Sequence, residues 1–472
     1  MQSGTPASSS TAPMPKTWWI ALLVAVTFFM ENLDATVIAT ALPQMARDFS
    51  VSAVDMNVGI TAFLLAVAVF IPLSGWLADR FGERRIFASA IVLFTLASLL
   101  CGLSTSLPMF TFSRVLQGIG GALMVPVGRL LVLRVTEKQD LVRMIALITW
   151  PGLIAPVLGP PLGGLIVTVG HWPWIFWLNI PLGIAALICT FWLIPKGERG
   201  QPRPFDLTGF LLTAIACAAL ITGLEWLGQS RLVAGAALLL LGSLSARLAW
   251  RHARRAAAPM LPIDSLGISS FRSTLQGGSL FRAAINAIPF LLPLMFQVSF
   301  GLSAMEAGVL VLWVFAGNLA MKPFTTAVMR RWGFRQVLLV NGLISTAAIA
   351  VCAFITPALP YPLLALVLFI GGLSRSMQFT CYNSLGFADV PRPQMSAAST
   401  LFSMFFQFSM SAGIAFAALA LRASMSLQAH PQPLPVDFFW AFMAVSLLSL
   451  LALLDNLRLK AGTGEHVLQR QP

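Results

Sequence analysis

The sequence predicts an all-α polytopic membrane protein, and three observations carry that prediction. Between Thr17 and Asn456 one apolar segment follows another, and a bilayer core needs about 20 mostly apolar residues per spanning helix. Hydrophobic residues make up 57% of the chain and charged residues 10%, with a mean hydropathy of +0.83, whereas an average soluble domain is about 25% charged. The short polar breaks between the segments also alternate in charge.

Hydropathy and helix breakers place fourteen spans, near residues 18–42, 56–78, 86–103, 108–133, 144–168, 173–194, 207–227, 232–250, 275–299, 306–329, 336–355, 361–382, 396–421 and 437–457. The positive-inside rule tests that count. With a cytoplasmic N-terminus, loops on the inside carry 22 of the 30 Lys and Arg residues, and loops on the outside carry only Arg47, Arg231 and Arg422. The remaining five, Arg114, Arg129, Arg282, Lys322 and Arg375, fall within spans. One missed helix would invert every later loop and erase the bias, so an even span number with both termini cytoplasmic is expected.

The net charge of +13 is spread over many short loops. That fits a membrane surface facing the cytoplasm, and no nucleic-acid partner is expected. Cys101, Cys189, Cys217, Cys352 and Cys381 all sit in apolar segments without CxxC spacing, which implies neither disulfides nor a metal site. The Ser/Thr/Pro-rich start, Met1 to Pro15, lacks the basic region and cleavage site of a signal peptide.

An internal echo divides the chain. Asp79-Arg80-Phe81-Gly82-Glu83-Arg84 follows span two, and Arg330-Arg331-Trp332-Gly333-Phe334-Arg335 follows span ten. Span four opens Arg114-Val115-Leu116-Gln117, and span twelve carries Arg375-Ser376-Met377-Gln378. The expected domains are a disordered N-terminus (1–17), a six-helix bundle (18–200), an inserted helix pair (201–255), a cytoplasmic linker (256–274), a second six-helix bundle (275–457) and a cytoplasmic tail (458–472). Repeats of this kind imply two bundles rocking about a site near the midplane.

Several residues carry candidate chemistry. Asp34 lies inside span one, and an intramembrane carboxylate is expensive and usually functional. Glu31 is one helical turn earlier, on nearly the same face, so the two acids would titrate as a coupled pair. A purely structural reading of Asp34, hydrogen-bonded to another helix, stays open beside proton coupling. Arg114 needs a partner or a watery cavity, and Gln117 shares its face; pairing with Asp34 competes with a relay role. In the loop after span two, Gly75 permits close helix approach and Gly82 a tight turn. Asp79, among Arg80, Arg84 and Arg85, would pair with an arginine or cap a facing helix as a conformational latch. Gly159 and Gly163 form a small-xxx-small face, next to Gly164 and to a Pro160-Pro161 pair that would kink span five. Trp150, Arg282, Asn286, Arg375, Gln378, Tyr382 and Asn383, with Gln117, are candidates for lining a central substrate cavity. Lys322 and Arg129 are expected to snorkel to the headgroups.

The string Gly75-Trp76-Leu77-Ala78-Asp79-Arg80-Phe81-Gly82-Glu83-Arg84-Arg85 resembles the loop motif of the major facilitator superfamily. Further matches resemble its fourteen-helix drug:proton antiporter branch, the EmrB/QacA type. They are Leu33-Asp34-Ala35-Thr36-Val37, Arg114-x-x-Gln117-Gly118, Gly159-Pro160-Pro161-Leu162-Gly163-Gly164, Trp174-Ile175-Phe176-x-x-Asn179-x-Pro181 and Asp206-Leu207-Thr208-Gly209. The likeness runs from about residue 18 to 457 and is greatest to the MdtD/HsrA group of multidrug exporters. It implies a major facilitator fold of two six-helix bundles plus two inserted helices. It also implies proton-coupled antiport of amphipathic drugs by alternating access, a proton-relay role for Arg114, an antiporter role for the span-five glycine-proline element, and a monomer in a bacterial inner membrane. Arg330 stands where the second loop motif would have Asp, so any latch there is asymmetric.

No Gly-x4-Gly-Lys-Ser/Thr, HExxH or GxSxG occurs, which argues against ATP-driven transport and against an enzyme. No cofactor or metal is expected; the expected partners are protons, an amphipathic small molecule and the lipid bilayer. Two alternatives remain: an exporter of one endogenous metabolite, and a non-transporting membrane sensor.

Overall fold

The computed structural model describes residues 16–51, 56–195, 204–228, 231–302, 304–429 and 433–468. Most of the expected N-terminal segment 1–17, and Lys196, Arg199 and Arg203 of the expected inside loops, lie outside the described residues. All regular structure among the described residues is helical: α1 (Lys16–Asp48), α2 (Asn57–Phe70), α3 (Leu73–Phe81), α4 (Glu83–Gly102), α5 (Leu107–Val135), α6 (Leu141–Val169), α7 (Pro173–Trp177), α8 (Asn179–Leu193), α9 (Leu207–Gly228), α10 (Leu232–Ala253), α11 (Ser269–Leu294), α12 (Ala304–Cys352), α13 (Tyr361–Ala388), α14 (Met395–Leu427) and α15 (Pro435–Asn456).

Eleven helical stretches are long and apolar enough to cross a membrane, or twelve when α2 and α3 count as one bent span. That is fewer than the fourteen expected, although each expected range falls on helix apart from a few end residues. The long α12 is two helices merged across Gly333 (φ 72°, ψ 165°) and occupies both 306–329 and 336–355, while α6 covers 144–168. The expected span 56–78 is broken, with α2 and α3 meeting at 57°. Pro72 precedes α3 and has no amide hydrogen to continue the ladder. At the two echoed loops, Gly82 (φ 88°) and Gly333 both adopt positive φ, a conformation that a Cβ disfavours. The echo therefore reflects a shared backbone need.

Within the first half, α1 packs along α6 and α8, and α5 packs between α2 and α4. In the second half α12 pairs with α13, and α11 with α14 and α15. The helices α9 and α10 pair with each other, and α9 also touches α2 and α14, so the inserted pair contacts both halves. α11 begins at Ser269, already inside the expected linker 256–274.

Hydrogen bonds join the halves toward the end that carries the basic loops. Ser74 Oγ meets Thr400 Oγ1 at 3.3 Å, Ser396 Oγ donates to Gly75 O at 3.2 Å, and Ser399 Oγ donates to Pro126 O at 2.9 Å. The expected tail is not free of the body. Its short turn Glu465–Val467 lies against the turn Lys138–Asp140, and Val467 and Leu468 are buried.

Candidate transport site

Asp34 sits on α1 where α5 and α8 converge, and its carboxylate is wholly enclosed. Arg114 Nη1 donates to Asp34 Oδ2 at 2.6 Å, with no exposure of either side chain. Gln117 Nε2 donates to Asp34 Oδ1 at 2.9 Å, and Asn179 Nδ2 donates to the same oxygen at 3.0 Å. Ser98 Oγ accepts from both amides, at 2.8 and 3.3 Å. Arg114 also donates to Gln117 Oε1 at 2.5 Å and to Gly59 O at 3.3 Å, and its guanidinium lies 4.3 Å from the Phe63 ring centroid. Burying both charges is tolerable because they are paired and hydrogen-bonded. The structure thus brings together Asp34, Arg114 and Gln117, and adds Asn179 and Ser98, to which the sequence reading gave no role. The available signal was a polar side chain within an apolar span.

Glu31, one turn earlier, faces elsewhere. It lines a cavity of about 210 Å³ between the halves together with Asn32, Arg129, Thr149, Asn383 and Gln407. Phe28, Phe63, Phe379, Phe406 and Met410 supply much of the apolar wall. Glu31 Oε2 is buried without a hydrogen-bond partner. The absence of a Cβ at Gly121 makes room for this carboxylate, since such an atom would lie 3.2 Å from Glu31 Oε1.

Of the residues expected to line a substrate cavity, Asn383 lies in this lining. Gln117 belongs to the Asp34 network. Arg282 sits just behind the wall, with Nη2 donating to Asn383 Oδ1 at 3.4 Å. Asn286 donates to Arg282 O, and the Tyr382 hydroxyl donates to Asn456 Oδ1 at 2.9 Å. Gln378 accepts from Asn341 and donates to Leu338 O. Arg375 borders a separate cavity of about 30 Å³ among α11, α12 and α13, and Trp150 is exposed. Arg129 and Lys322 do not snorkel. Both are buried, with Arg129 Nη1 donating to Ser403 Oγ at 3.1 Å and Lys322 Nζ to Thr380 Oγ1 at 2.9 Å and Thr149 Oγ1 at 3.4 Å.

Where α3 gives way to α4, Arg134 from the end of α5 holds Asp79 in the last turn of α3 at 3.1 Å and also pairs with Glu83, the first residue of α4. The arginine that holds Asp79 therefore comes from α5, 55 positions away in sequence. Arg80 packs on Trp76 and Phe81, Arg84 donates to Phe191 O at 2.8 Å, and Arg85 is exposed. Asp79 and Gly75 share a cavity of about 390 Å³ with Gln394, Ser396, Ala397 and Thr400 at the start of α14. A Cβ on Gly75 would lie 2.7 Å from Thr400 Oγ1.

On α6, a Cβ on Gly159 would collide with the Thr36 side chain, two residues beyond Asp34, whereas nothing approaches Gly164. Gly163 is buried. α6 stays helical through 159–164; the side chain of Pro160 lies outside the described residues. Among the described residues no group of three or more His, Cys, Asp or Glu is placed to hold a metal ion.

Two bundles of spanning helices around a central cavity, with an intramembrane acid–arginine pair beside it, correspond to a known architecture. The family model of the Major Facilitator Superfamily matches residues 24–414. The chain belongs to that superfamily. It is 38% identical over 442 residues to a Cronobacter sakazakii protein, covering 91% of this chain and 92% of that one. An Escherichia coli protein is 40% identical over 410 residues, with 86% of each chain covered. A Klebsiella pneumoniae protein is 39% identical over 419 residues, covering 87% and 88%. All three bear the name MdtD, which carries a multidrug-resistance assignment. The fold matches the human organic anion transporter MFSD10 at 16% identity, with TM-score 0.65 and 93% and 98% of the chains covered. It matches the proton:xylose symporter XylE at 13% identity, with TM-score 0.65 and coverage of 93% and 94%. The superfamily match and the run of apolar helices make this a multi-pass membrane protein of a transporter family.

Proposed function

We propose that this protein is a proton-coupled antiporter that exports amphipathic small molecules, drugs among them, across a bacterial inner membrane by alternating access. Both termini would be cytoplasmic, and one chain would suffice. The observation that carries the reading is the Asp34 carboxylate, sealed inside the first half and held by Arg114, Gln117 and Asn179. A proton arriving there would cancel the charge that anchors Arg114 and so change how α1, α5 and α8 hold together. Glu31, facing the cavity one turn away, gives that proton a stopping point next to the cargo. The relatives named MdtD support drugs as the cargo class.

These placements support a cycle. Contacts between the halves gather at the basic end, which in the proposed orientation faces the cytoplasm, so this would be the conformation closed on that side. Its cavity of about 210 Å³ is smaller than the roughly 300–1,000 Å³ of drug-sized sites, as expected before the bundles part. Asp79, set beside the first turn of α14, would latch the closed state, since an anion is favourable at a helix N-terminus. Gly159 against Thr36 would let α6 slide with α1 when the Asp34 network rearranges. One charge moving down the membrane potential releases about 2.3 kcal/mol per 100 mV, enough for one to two decades of cargo gradient.

The test is efflux from proteoliposomes under an imposed pH gradient, screened over dyes and central metabolites. Wild-type protein moves cargo against its gradient and stops when an ionophore collapses the pH difference. Asp34→Asn stays folded but loses pH-driven efflux; normal efflux in that variant discards the assignment.

A further inference from the structure

Five basic side chains lie within the expected spans, and among the described residues Arg114 alone of the five has a carboxylate partner. Among the described residues, Arg129, Arg282, Lys322 and Arg375 form no ion pair; the first three contact hydroxyl, amide and carbonyl groups or rings, and Arg375 Nη1 is buried without a hydrogen-bond partner. Three of the four surround the central cavity. Arg129 lines it from the first half. Arg282 stands behind Asn383 and Phe406 in the second half, with its guanidinium 5.7 Å from the Phe406 centroid. Lys322 stands behind Thr149. The two arginines converge on one ring: the Phe402 centroid lies 4.4 Å from the Arg129 guanidinium carbon and 4.5 Å from that of Arg282. Phe402 is fully buried, and Arg282 Nε has no hydrogen-bond partner.

The lining itself holds one acid, Glu31, and one base, Arg129, so the cavity and its immediate backing carry an excess of positive charge. Like charges held together away from water repel strongly, and an isolated buried ion is costly without a partner. Ring contacts offset part of that cost, and a counter-anion would offset more. Apolar walls beside a small number of placed polar groups are the usual make-up of a ligand site. We infer that the central cavity takes amphipathic organic anions, with an acidic headgroup held by Arg129 in the field of Arg282 and Lys322 and an aromatic body against Phe379 and Phe406. This rests on the transport reading above and narrows its cargo to one charge class.

A matched set of probes tests it: 2-naphthoate, 2-naphthylmethylammonium and neutral 2-naphthylmethanol share one aromatic body and differ in charge. Equilibrium dialysis against the full-length protein in lipid nanodiscs reads their affinities with no gradient applied. Naphthoate is expected to bind about tenfold or more tighter than the ammonium probe. Arg129→Gln and Arg282→Gln each weaken naphthoate by about tenfold and leave the neutral probe unchanged, which shows the wall to be intact. Arg129→Lys keeps part of the naphthoate affinity. Equal or tighter binding of the ammonium probe overturns the inference, as does the same loss for acid and alcohol in Arg129→Gln, or no binding of any probe. Binding separates the two readings. Anion preference without pH-driven efflux sinks the antiport alone, and pH-driven efflux of cations sinks the anion site alone.

Discussion

Arg114 and Asp34 come from helices 80 positions apart in sequence, yet Nη1 and Oδ2 meet at 2.6 Å in a site with no solvent exposure. Removing one member of a buried pair strands the other charge, at a cost of about 3–5 kcal/mol. Asp34→Asn and Arg114→Gln should therefore each lower the thermal unfolding temperature in detergent. The double variant should melt closer to wild type than either single variant, because no charge is left stranded. Neither the singles nor the double should recover pH-driven efflux. If the single-variant losses simply add, the pair does not act as a unit.

Glu31 lines the central cavity, which Asp34 does not. Glu31→Gln keeps the shape beside Gly121 but removes the ionisable group from the cavity. Cargo counterflow, which exchanges labelled for unlabelled cargo without net proton movement, should persist in this variant. Export driven by a pH gradient should fall. Loss of both to the same degree would assign Glu31 to cargo binding instead of coupling.

How far the sequence disclosed this site depends on what each residue could betray by its type. Asp34 and Arg114 were legible because charges inside a span must find partners, and few partners were on offer. The faces of α13 were not. Arg375, Gln378 and Tyr382 recur at helical spacing on one face, while Phe379 and Asn383 lie on another, and both faces carry polar groups. Only the packing of α13 against α12, α11 and α6 decides that Phe379 and Asn383 meet the cavity while Gln378 turns to Asn341. Arg129 and Lys322 were misjudged for a similar reason: a base near a span end snorkels if it faces lipid, but these two face the opposite half. Gly82, expected at a tight turn, and Gly333 both adopt positive φ, and a turn that needs that conformation names its residue. Hydropathy and charge placed the apolar segments on helix, but eleven or twelve stretches qualify as spans where fourteen were expected, and the break at Pro72, which bends span two by 57°, required attention to a single proline.

Asp206, just before α9 and outside the spans, ties the inserted pair to the linker. Burial pushes its carboxyl up, but hydrogen bonds from the Gly209 and Met260 amides and from His252 outweigh burial and hold it below its ordinary value. His252 Nε2 lies 2.8 Å from Oδ1, and the Met260 amide 3.2 Å from Oδ2. A depressed folded value means that the contribution is fully present above the unfolded value of about 3.9 and is lost as pH falls through the folded one. Asp206→Asn should thus melt below wild type near neutral pH. The two melting temperatures should converge in acid, below about pH 3.9. A gap that stays constant across that range would show that the carboxylate charge contributes nothing.

Gly75 is where α3 and α14 touch across the two halves. Ser396 Oγ donates to its carbonyl at 3.2 Å, and a Cβ in its place would lie 2.7 Å from Thr400 Oγ1 and 3.1 Å from Ser396 Oγ. Gly75→Val should pry the basic end apart with little harm to either bundle, because the crowding falls on the seam alone. Spin labels at Arg85→Cys and Arg392→Cys, both exposed, in a background lacking the five native cysteines, would report the separation by pulsed electron resonance. The distribution should shift to longer distances in Gly75→Val. Transport should slow with no change in the ranking of substrates, since the substitution lies outside the cavity lining. An unchanged distance distribution would mean that the contact at Gly75 does not hold the closed state, and the latch assigned to Gly75 and Asp79 would then have to be abandoned.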